Sequence, residues 1–347
     1  MKKVRVAING FGRIGRAFFR VAVLREDMEI VAVNDLGDLE NLAYLVRYDT
    51  AYGRSPFAVE IQDGALVAGG KNVRFVSERD PLKLPWKDMD IDVVVEATGV
   101  FTSYEKANAH RTAGAKRVVM TAPAKDEPGA SGVKGATVLM GLNDEHLADY
   151  EITSNASCTT NAASPLIAIL DEAIGIERAL LNTVHAYTAS QSLVDGPSKK
   201  ANKEDWRDGR AAAQNIIPSS TGAAIAVTKA YPKLEGKFDG LSVRVPVVVG
   251  SLVDVTFVAS RPTTVEEVNN ALKAAAGSER WKGLFAVTDE PLVSSDIIGA
   301  TYASIADLSY TLVADGTLVK VVAWYDNEAG YAHTLIEHVA ALGKTFV

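Results

Sequence analysis

The sequence predicts an α/β chain in two parts, a parallel sheet wrapped by helices followed by an α+β domain. Three observations carry that reading. The first half alternates short β-branched runs with amphipathic stretches, the pattern of parallel strands joined through helical crossovers. The pattern changes character after about residue 155. The length of 347 residues accommodates two domains of about 150 residues each.

In chain order, Val4-Arg5-Val6-Ala7-Ile8-Asn9 reads as a buried strand, and residues 14–24 carry apolar side chains at helical spacing. Residues 29–34 form a second strand, and Asp38 is placed to cap a helix ending near Tyr48. Residues 91–95 and 117–120 are further strands, each followed by turn-prone Gly or Pro. Beyond the change in pattern, residues 162–173, 223–230 and 265–275 read as helices, and 180–185 and 241–249 as strands. Residues 309–313 and 318–324 read as a hairpin around Ala314-Asp315-Gly316. The polar stretch 189–217, with Gly196-Pro197 and little periodicity, is expected at a subunit interface close to the dinucleotide, because a loop of this length has to find its contacts elsewhere. Residues 328–347 are expected to be helical and to return to the first domain.

Composition narrows the functions. Apolar residues make up 48% and charged residues 23%, which excludes a disordered or fibrous chain. The net charge of −7 argues against nucleic acid as the primary partner. Nothing approaches 18 continuous apolar residues, and Asn9, Gly10 and Arg13 interrupt the apolar stretch behind the basic start, so the chain reads as cytoplasmic with no membrane partner. A single cysteine, Cys158, excludes an intramolecular disulfide and any cysteine-cluster metal site, and no metal is expected.

Gly10-Phe11-Gly12-Arg13-Ile14-Gly15 follows a strand and opens a helix, and Asp35 ends the next strand 20 residues beyond Gly15. Glycines there permit a tight turn and close approach to a pyrophosphate, which the helix N-terminus faces, while the carboxylate accepts hydrogen bonds from a ribose. The combination predicts a dinucleotide-binding domain of the Rossmann type. A carboxylate at Asp35 repels a 2′-phosphate, so NAD is favoured over NADP.

Cys158 lies at the start of the helical run after Ser154-Asn155-Ala156-Ser157, where free amides and the macrodipole favour a thiolate. A lone cysteine is more often a buried hydrophobe, but its polar neighbours argue for chemistry. His185 ends an apolar strand and could serve as the base of a thiol nucleophile, or be a satisfied strand-end histidine. Arg244 interrupts an apolar strand, so it either pairs with a carboxylate or holds an anionic substrate group. Ser219-Ser220-Thr221-Gly222 precedes another helix and makes a second candidate anion site.

Asn9 through Arg16, Ser157-Cys158-Thr159-Thr160-Asn161, His185-Ala186-Tyr187-Thr188, the run from Arg210 through Thr221-Gly222, and Trp324-Tyr325-Asp326-Asn327-Glu328 together resemble the phosphorylating glyceraldehyde-3-phosphate dehydrogenase family over essentially the whole chain. The resemblance implies a dinucleotide-binding domain over 1–157 and a catalytic domain over 158–327 with a mainly antiparallel sheet. It implies a homotetramer, and oxidation of glyceraldehyde 3-phosphate with NAD and inorganic phosphate through a thiohemiacetal and a thioester. Cys158 then resembles the nucleophile and His185 the base. Thr188, Ser190 and Arg244 resemble the substrate-phosphate site, and Ser157, Thr159, Thr221, Gly222 and Arg210 the inorganic-phosphate site. Gly10, Gly12, Arg13, Ile14, Gly15, Asp35, Thr121, Asn327 and Tyr331 fall on cofactor positions, with Asn327 orienting the nicotinamide carboxamide.

The chain departs from the family's frequent residues at Ala162, Ile225, 247–249 and Ala329, which bears on substrate fit and subunit contacts. Erythrose-4-phosphate dehydrogenase is the nearest alternative enzyme. A non-catalytic NAD-binding scaffold is the alternative outside the enzymes, disfavoured because both Cys158 and His185 are present.

Overall fold

The computed structural model describes residues 3–198 and 206–346, so the centre of the polar stretch expected over 189–217, and the last residue of the expected terminal helix, lie outside the described residues. The chain divides into two compact units, one running to Ser157 and resuming at Ala332, the other spanning Cys158–Tyr331.

In the first unit the large sheet is built around Val4–Asn9, which pairs in parallel with Met28–Asn34 on one side and Val93–Glu96 on the other. Arg117–Met120, Ile152–Ser154 and Gly135–Thr137 continue the sheet in parallel beyond Val93–Glu96. Lys71–Val76 adds in parallel beyond Met28–Asn34. Parallel strands are buried on both faces, and Val93, Val94 and Val95 are fully buried. The helix Arg13–Ala22 places Phe18 and Phe19 in the same core as Val6 and Ile8. Leu335, Ile336 and Val339 of the helix Ala329–Gly343 join that core. Asp38 caps the helix Leu39–Arg47 by accepting from the Asn41 amide at 2.9 Å, as its position in the sequence predicts.

The sheet ends in a hairpin, Val59–Gln62 with Ala65–Ala68, that the reading of the sequence missed. Its turn residues Asp63 and Gly64 both have positive φ, 50° and 74°, the backbone that an Asp-Gly pair favours. That dipeptide was the available signal.

The second unit is a mixed sheet in the order Ile217–Ser220, Phe238–Val245, Ile176–Ala186, Ser251–Ala259, Leu318–Tyr325, Ser304–Ala314, Phe285–Thr288. Only two neighbouring pairs, Ile176–Ala186 with Phe238–Val245 and Phe285–Thr288 with Ser304–Ala314, run parallel. The expected fold class, a Rossmann-type parallel sheet followed by an α+β unit with a mainly antiparallel sheet, therefore holds. Helices Cys158–Ala173, Ala223–Ala230 and Val265–Ala276 pack against this sheet, and Ser251–Ala259 alternates buried and partly exposed residues along its length, as a sheet covered on one side requires.

One boundary needs correction. The strand expected over 241–249 stops at Val245 and a separate strand starts at Ser251. Pro246 has no amide to give a ladder, and Gly250, at φ 93°, turns the chain back.

Burial also explains how the C-terminal helix is held. His338 is fully buried; its Nε2 lies 2.8 Å from Thr153 Oγ1 and its Nδ1 lies 3.2 Å from Asn155 Oδ1. The amide oxygen can only accept, so Nδ1 carries the proton and Nε2 accepts from the threonine hydroxyl. Burial pushes this imidazole from 6.5 down to about 3. As the pH falls between those values the unfolded chain protonates first, and this group removes about 1.4 kcal/mol of stability per pH unit; above 6.5 neither state holds the proton and the contribution is flat. The stability difference between wild type and His338→Gln, measured by urea denaturation, is therefore expected to shrink by about 2 kcal/mol from pH 6.5 to pH 5. A difference that stays constant over that range would show that folded His338 titrates normally.

Candidate active site

The glycine-rich turn of the first unit uses its three glycines differently. Gly10 has φ 94°, and a Cβ there would stand 2.6 Å from the Thr98 amide nitrogen. A Cβ on Gly15 would strike the Gly10 carbonyl, so the helix lies tightly on the strand only with glycine. Beside Gly12 the space is open to 4 Å, and this residue caps Arg13–Ala22 without a side-chain hydrogen bond, leaving first-turn amides for an anion.

The turn opens on a cleft of about 370 Å³ lined by Asn9, Gly10, Gly12, Asp35, Thr98 and Phe101 among others. Asp35 accepts from the Phe11 amide at 2.6 Å and the Gly37 amide at 2.8 Å. A carboxylate has about four acceptor positions, so ribose hydroxyls can still be received. These residues fit a dinucleotide. Arg13 is a backbone participant at most, since its guanidinium reaches Asp49 at 2.5 Å, and Ile14 packs against the core. Thr121 follows the strand Arg117–Met120, with its amide bonded to the Glu96 carbonyl at 3.0 Å.

Beneath this cleft lies a polar network that the sequence did not announce. Trp86 Nε1 donates to His110 Nδ1 at 3.1 Å, so the proton of His110 sits on Nε2 and is donated to Glu96 Oε2 at 2.9 Å. Glu96 also receives Asn9 Nδ2 at 2.6 Å and the Thr98 amide at 2.9 Å, and Asn34 Nδ2 donates to Asn9 Oδ1 at 2.7 Å. A buried carboxylate without such donors would be costly; with them it fixes the ends of three strands that line the cleft.

In the second unit Cys158 is the first residue of the helix Cys158–Ala173, directly after Ala156, a non-glycine residue at φ 52°, and Ser157. His185 stands one residue before the end of Ile176–Ala186. The two meet with Sγ 3.3 Å from Nε2. Arg244, the parallel-register partner of His185, brings Nη1 within 2.7 Å of His185 Nδ1 and 3.1 Å of the Ala186 carbonyl. Among the described residues no carboxylate pairs with it, which removes one of its two readings.

Tyr325 links the catalytic wall together and was not singled out from the sequence, although it lies inside the motif running from Trp324 to Glu328. Its hydroxyl lies 2.9 Å from Thr159 Oγ1 and 2.7 Å from Thr183 Oγ1, and its ring meets His185 edge-on at 6.0 Å between centroids. Burial pushes its phenol above the usual range.

Burial also dominates the two reactive groups. His185 is driven from 6.5 to about 3, first by desolvation and then by the charge of Arg244, against a hydrogen bond to the Ala186 carbonyl. Burial pushes the Cys158 thiol up, opposed by Arg244 and by hydrogen bonds from Thr159. The sequence argued for a thiolate favoured by the helix N-terminus; burial opposes that help and exceeds it.

The other expected residues fall into small groups. Thr188 Oγ1 lies 3.0 Å from Ser190 Oγ, and the Thr188 amide donates to Gln191 Oε1 at 3.3 Å. Thr221 accepts from the Ala223 amide at 3.2 Å, and Gly222 begins Ala223–Ala230 with no side-chain cap. Arg210 is exposed and turned to Asp195 at 2.8 Å, so its side-chain contact lies outside the Cys158–His185–Arg244 group. Asn327 Oδ1 accepts from the Gly250 amide and Ser251 Oγ, both at 3.1 Å, which leaves Nδ2 as its outward donor. Tyr331 is buried. Among the described residues no cluster of acidic, histidine and cysteine side chains could hold a metal.

Residues 4–104 match a family model described as the NAD binding domain of glyceraldehyde 3-phosphate dehydrogenase, and 157–327 match that of its C-terminal domain. Similar proteins include glyceraldehyde-3-phosphate dehydrogenase of Shimwellia blattae, 47% identical over 98% of this chain and 99% of that protein, and glyceraldehyde-3-phosphate dehydrogenase A of Escherichia coli K12, with the same identity and coverage. The cytosolic enzyme of Leishmania mexicana is 48% identical over 96% of this chain and 97% of its own.

Removing the charge of Asp35 tests the cleft. Asp35→Asn is expected to lower the NAD-over-NADP ratio of kcat/KM by about tenfold or more, since a like charge near the 2′-phosphate costs over 1 kcal/mol even at high effective dielectric. Steady-state kinetics with both dinucleotides measure this, and an unchanged ratio would place discrimination elsewhere.

Proposed function

The chain belongs to the glyceraldehyde-3-phosphate dehydrogenase family, and on that premise we propose that it oxidises glyceraldehyde 3-phosphate to 1,3-bisphosphoglycerate with inorganic phosphate, through the thiol of Cys158 and the imidazole of His185. The observation that carries this reading is the 3.3 Å contact between Sγ and Nε2 at a helix N-terminus.

NAD, which the glycine turn and Asp35 would hold, supplies the hydride acceptor when bound. His185 takes the thiol proton, Cys158 attacks the aldehyde carbon as thiolate, and that proton ends on the new thiohemiacetal oxygen. His185 then takes the hydroxyl proton as the carbon is oxidised, leaving a thioester on Cys158. Inorganic phosphate, received by Ser157, Thr159, Thr221 and Gly222 with Arg210 as a further cation, attacks the thioester carbonyl; sulfur leaves and the acyl phosphate is released. Arg244, Thr188 and Ser190 hold the phosphate that the substrate already carries.

A homotetramer fits the outer face of the second sheet, where Leu180, Leu241 and Leu318 are 66%, 50% and 48% exposed; apolar patches of this kind commonly mark contact surfaces. The stretch 189–217 is proposed to lie at such an interface close to the dinucleotide. Among the described residues no helix is long and apolar enough to cross a membrane, and a cytoplasmic location follows from the resemblance to the cytosolic relative.

Turnover of glyceraldehyde 3-phosphate that depends on NAD and inorganic phosphate, and exceeds turnover of erythrose 4-phosphate, is the expected result; the reverse preference would move the chain to the longer sugar. Cys158→Ser is expected to abolish oxidation, since no thioester can form, and His185→Asn to slow it by about 10²–10⁴. Rapid product formation by the Cys158 variant would overturn the covalent route. Arg244→Leu is expected to raise KM for the aldehyde with NAD affinity intact, whereas lost stability at unchanged KM would make Arg244 structural. Sedimentation showing a fully active monomer would remove the tetramer.

A further inference from the structure

Gly250, Ser251 and Asn327 of the second unit meet at one side-chain amide. Asn327 is 4% exposed, and its Oδ1 lies 3.1 Å from the Gly250 nitrogen and 3.1 Å from Ser251 Oγ. A backbone N–H can only donate, so the Asn327 atom facing Gly250 is the oxygen. Ser251 Oγ accepts from the amide of Ala186, the residue after His185, at 3.1 Å, and gives its single proton to Asn327 Oδ1. Both lone pairs of that oxygen are then taken, while the two N–H groups of Nδ2 have no partner among the described residues. Gly250 permits this arrangement at φ 93°, where a Cβ would stand 2.4 Å from the Ser294 carbonyl oxygen. Ser251 is itself buried, with its hydroxyl spent on these two contacts, so it acts through the groups it holds.

We propose that Ser251 is a positioning residue for the nicotinamide end of the dinucleotide: its hydroxyl, seated on the Ala186 amide, turns Asn327 so that Nδ2 is the group offered to a carboxamide oxygen. Without that hydroxyl one of the two contacts that orient the amide is gone. The Ala186 amide also loses its acceptor, at the end of the strand that carries His185. This rests on the assignment of Asn327 to the nicotinamide carboxamide, and not on the chemistry proposed for Cys158 and His185.

Calorimetric titration of the full-length protein with NAD, and separately with ADP-ribose, which keeps the adenosine, the pyrophosphate and the second ribose but has no nicotinamide, isolates this contact. Ser251→Ala is expected to weaken NAD binding by about fivefold, the scale of one net hydrogen bond, and to leave ADP-ribose binding unchanged. Ser251→Thr, which keeps the hydroxyl, is expected to bind both as the wild type does. In an Asn327→Ala background Ser251→Ala is expected to add nothing, because a residue that acts through another loses its effect with that partner. Should Ser251→Ala not fold, Ser251→Cys, a weak donor of similar shape, is expected to show the same selective loss. Equal weakening of NAD and ADP-ribose, an unchanged affinity for NAD, or a full additional loss in the Asn327→Ala background would overturn the proposal. If Asn327→Ala alone leaves NAD affinity intact, the assignment of Asn327 fails and the role of Ser251 with it. Turnover that depends on NAD and inorganic phosphate is read separately, so failure of the catalytic reading is distinguishable from failure of this one.

Discussion

The contact between Cys158 Sγ and His185 Nε2 is the constraint around which the second unit is arranged. The thiol opens a helix and the imidazole closes a strand 27 positions later, so the pair exists only if that helix packs on that sheet at one height. Burying both groups has an electrostatic consequence. Each favours its uncharged form, because desolvation penalises thiolate and imidazolium alike. Such a pair is placed to pass a proton when sulfur attacks.

Register then decides which groups surround the pair. His185 lies beside Arg244 on one flanking strand, and the Ala186 amide donates to Ser251 Oγ at 3.1 Å on the chain entering the other. Ser251 Oγ donates to Asn327 Oδ1, and the strand that Ser251 begins aligns with the one that carries Tyr325. A slip of one residue would turn each of these side chains to the opposite face. The hydroxyls are ordered as well. Thr183 donates to the Leu252 carbonyl at 3.1 Å, so it accepts from Tyr325, whose hydroxyl oxygen also meets Thr159 Oγ1. Asp326 adds a cap, taking the Glu328 and Ala329 amides at 2.9 and 2.8 Å at the start of the final helix.

The first unit solves a different problem, approach of a charged ligand to backbone. Glycine at positions 10 and 15 removes the atoms that would hold strand, turn and helix apart. The buried Glu96–His110 contact keeps Asn9 and Thr98 fixed beneath the cleft, so its floor is set before any dinucleotide arrives.

Local chemistry made much of this legible. The glycine turn with Asp35, the single cysteine before a helical run, the Asp38 cap and the alternation of strands with helices are all properties of neighbouring residues, and the sequence by itself determined them together with the fold class. It could not show that Arg244 lacks a carboxylate and leans on His185, that Arg210 turns to Asp195, that Tyr325 joins two threonines, or that burial would outweigh the helix N-terminus at Cys158. Those depend on pairing between residues tens of positions apart and on how much water the packed side chains exclude. Only the tertiary structure decided them, because hydrogen-bond direction and desolvation are set by three-dimensional neighbours that no spacing along the chain records.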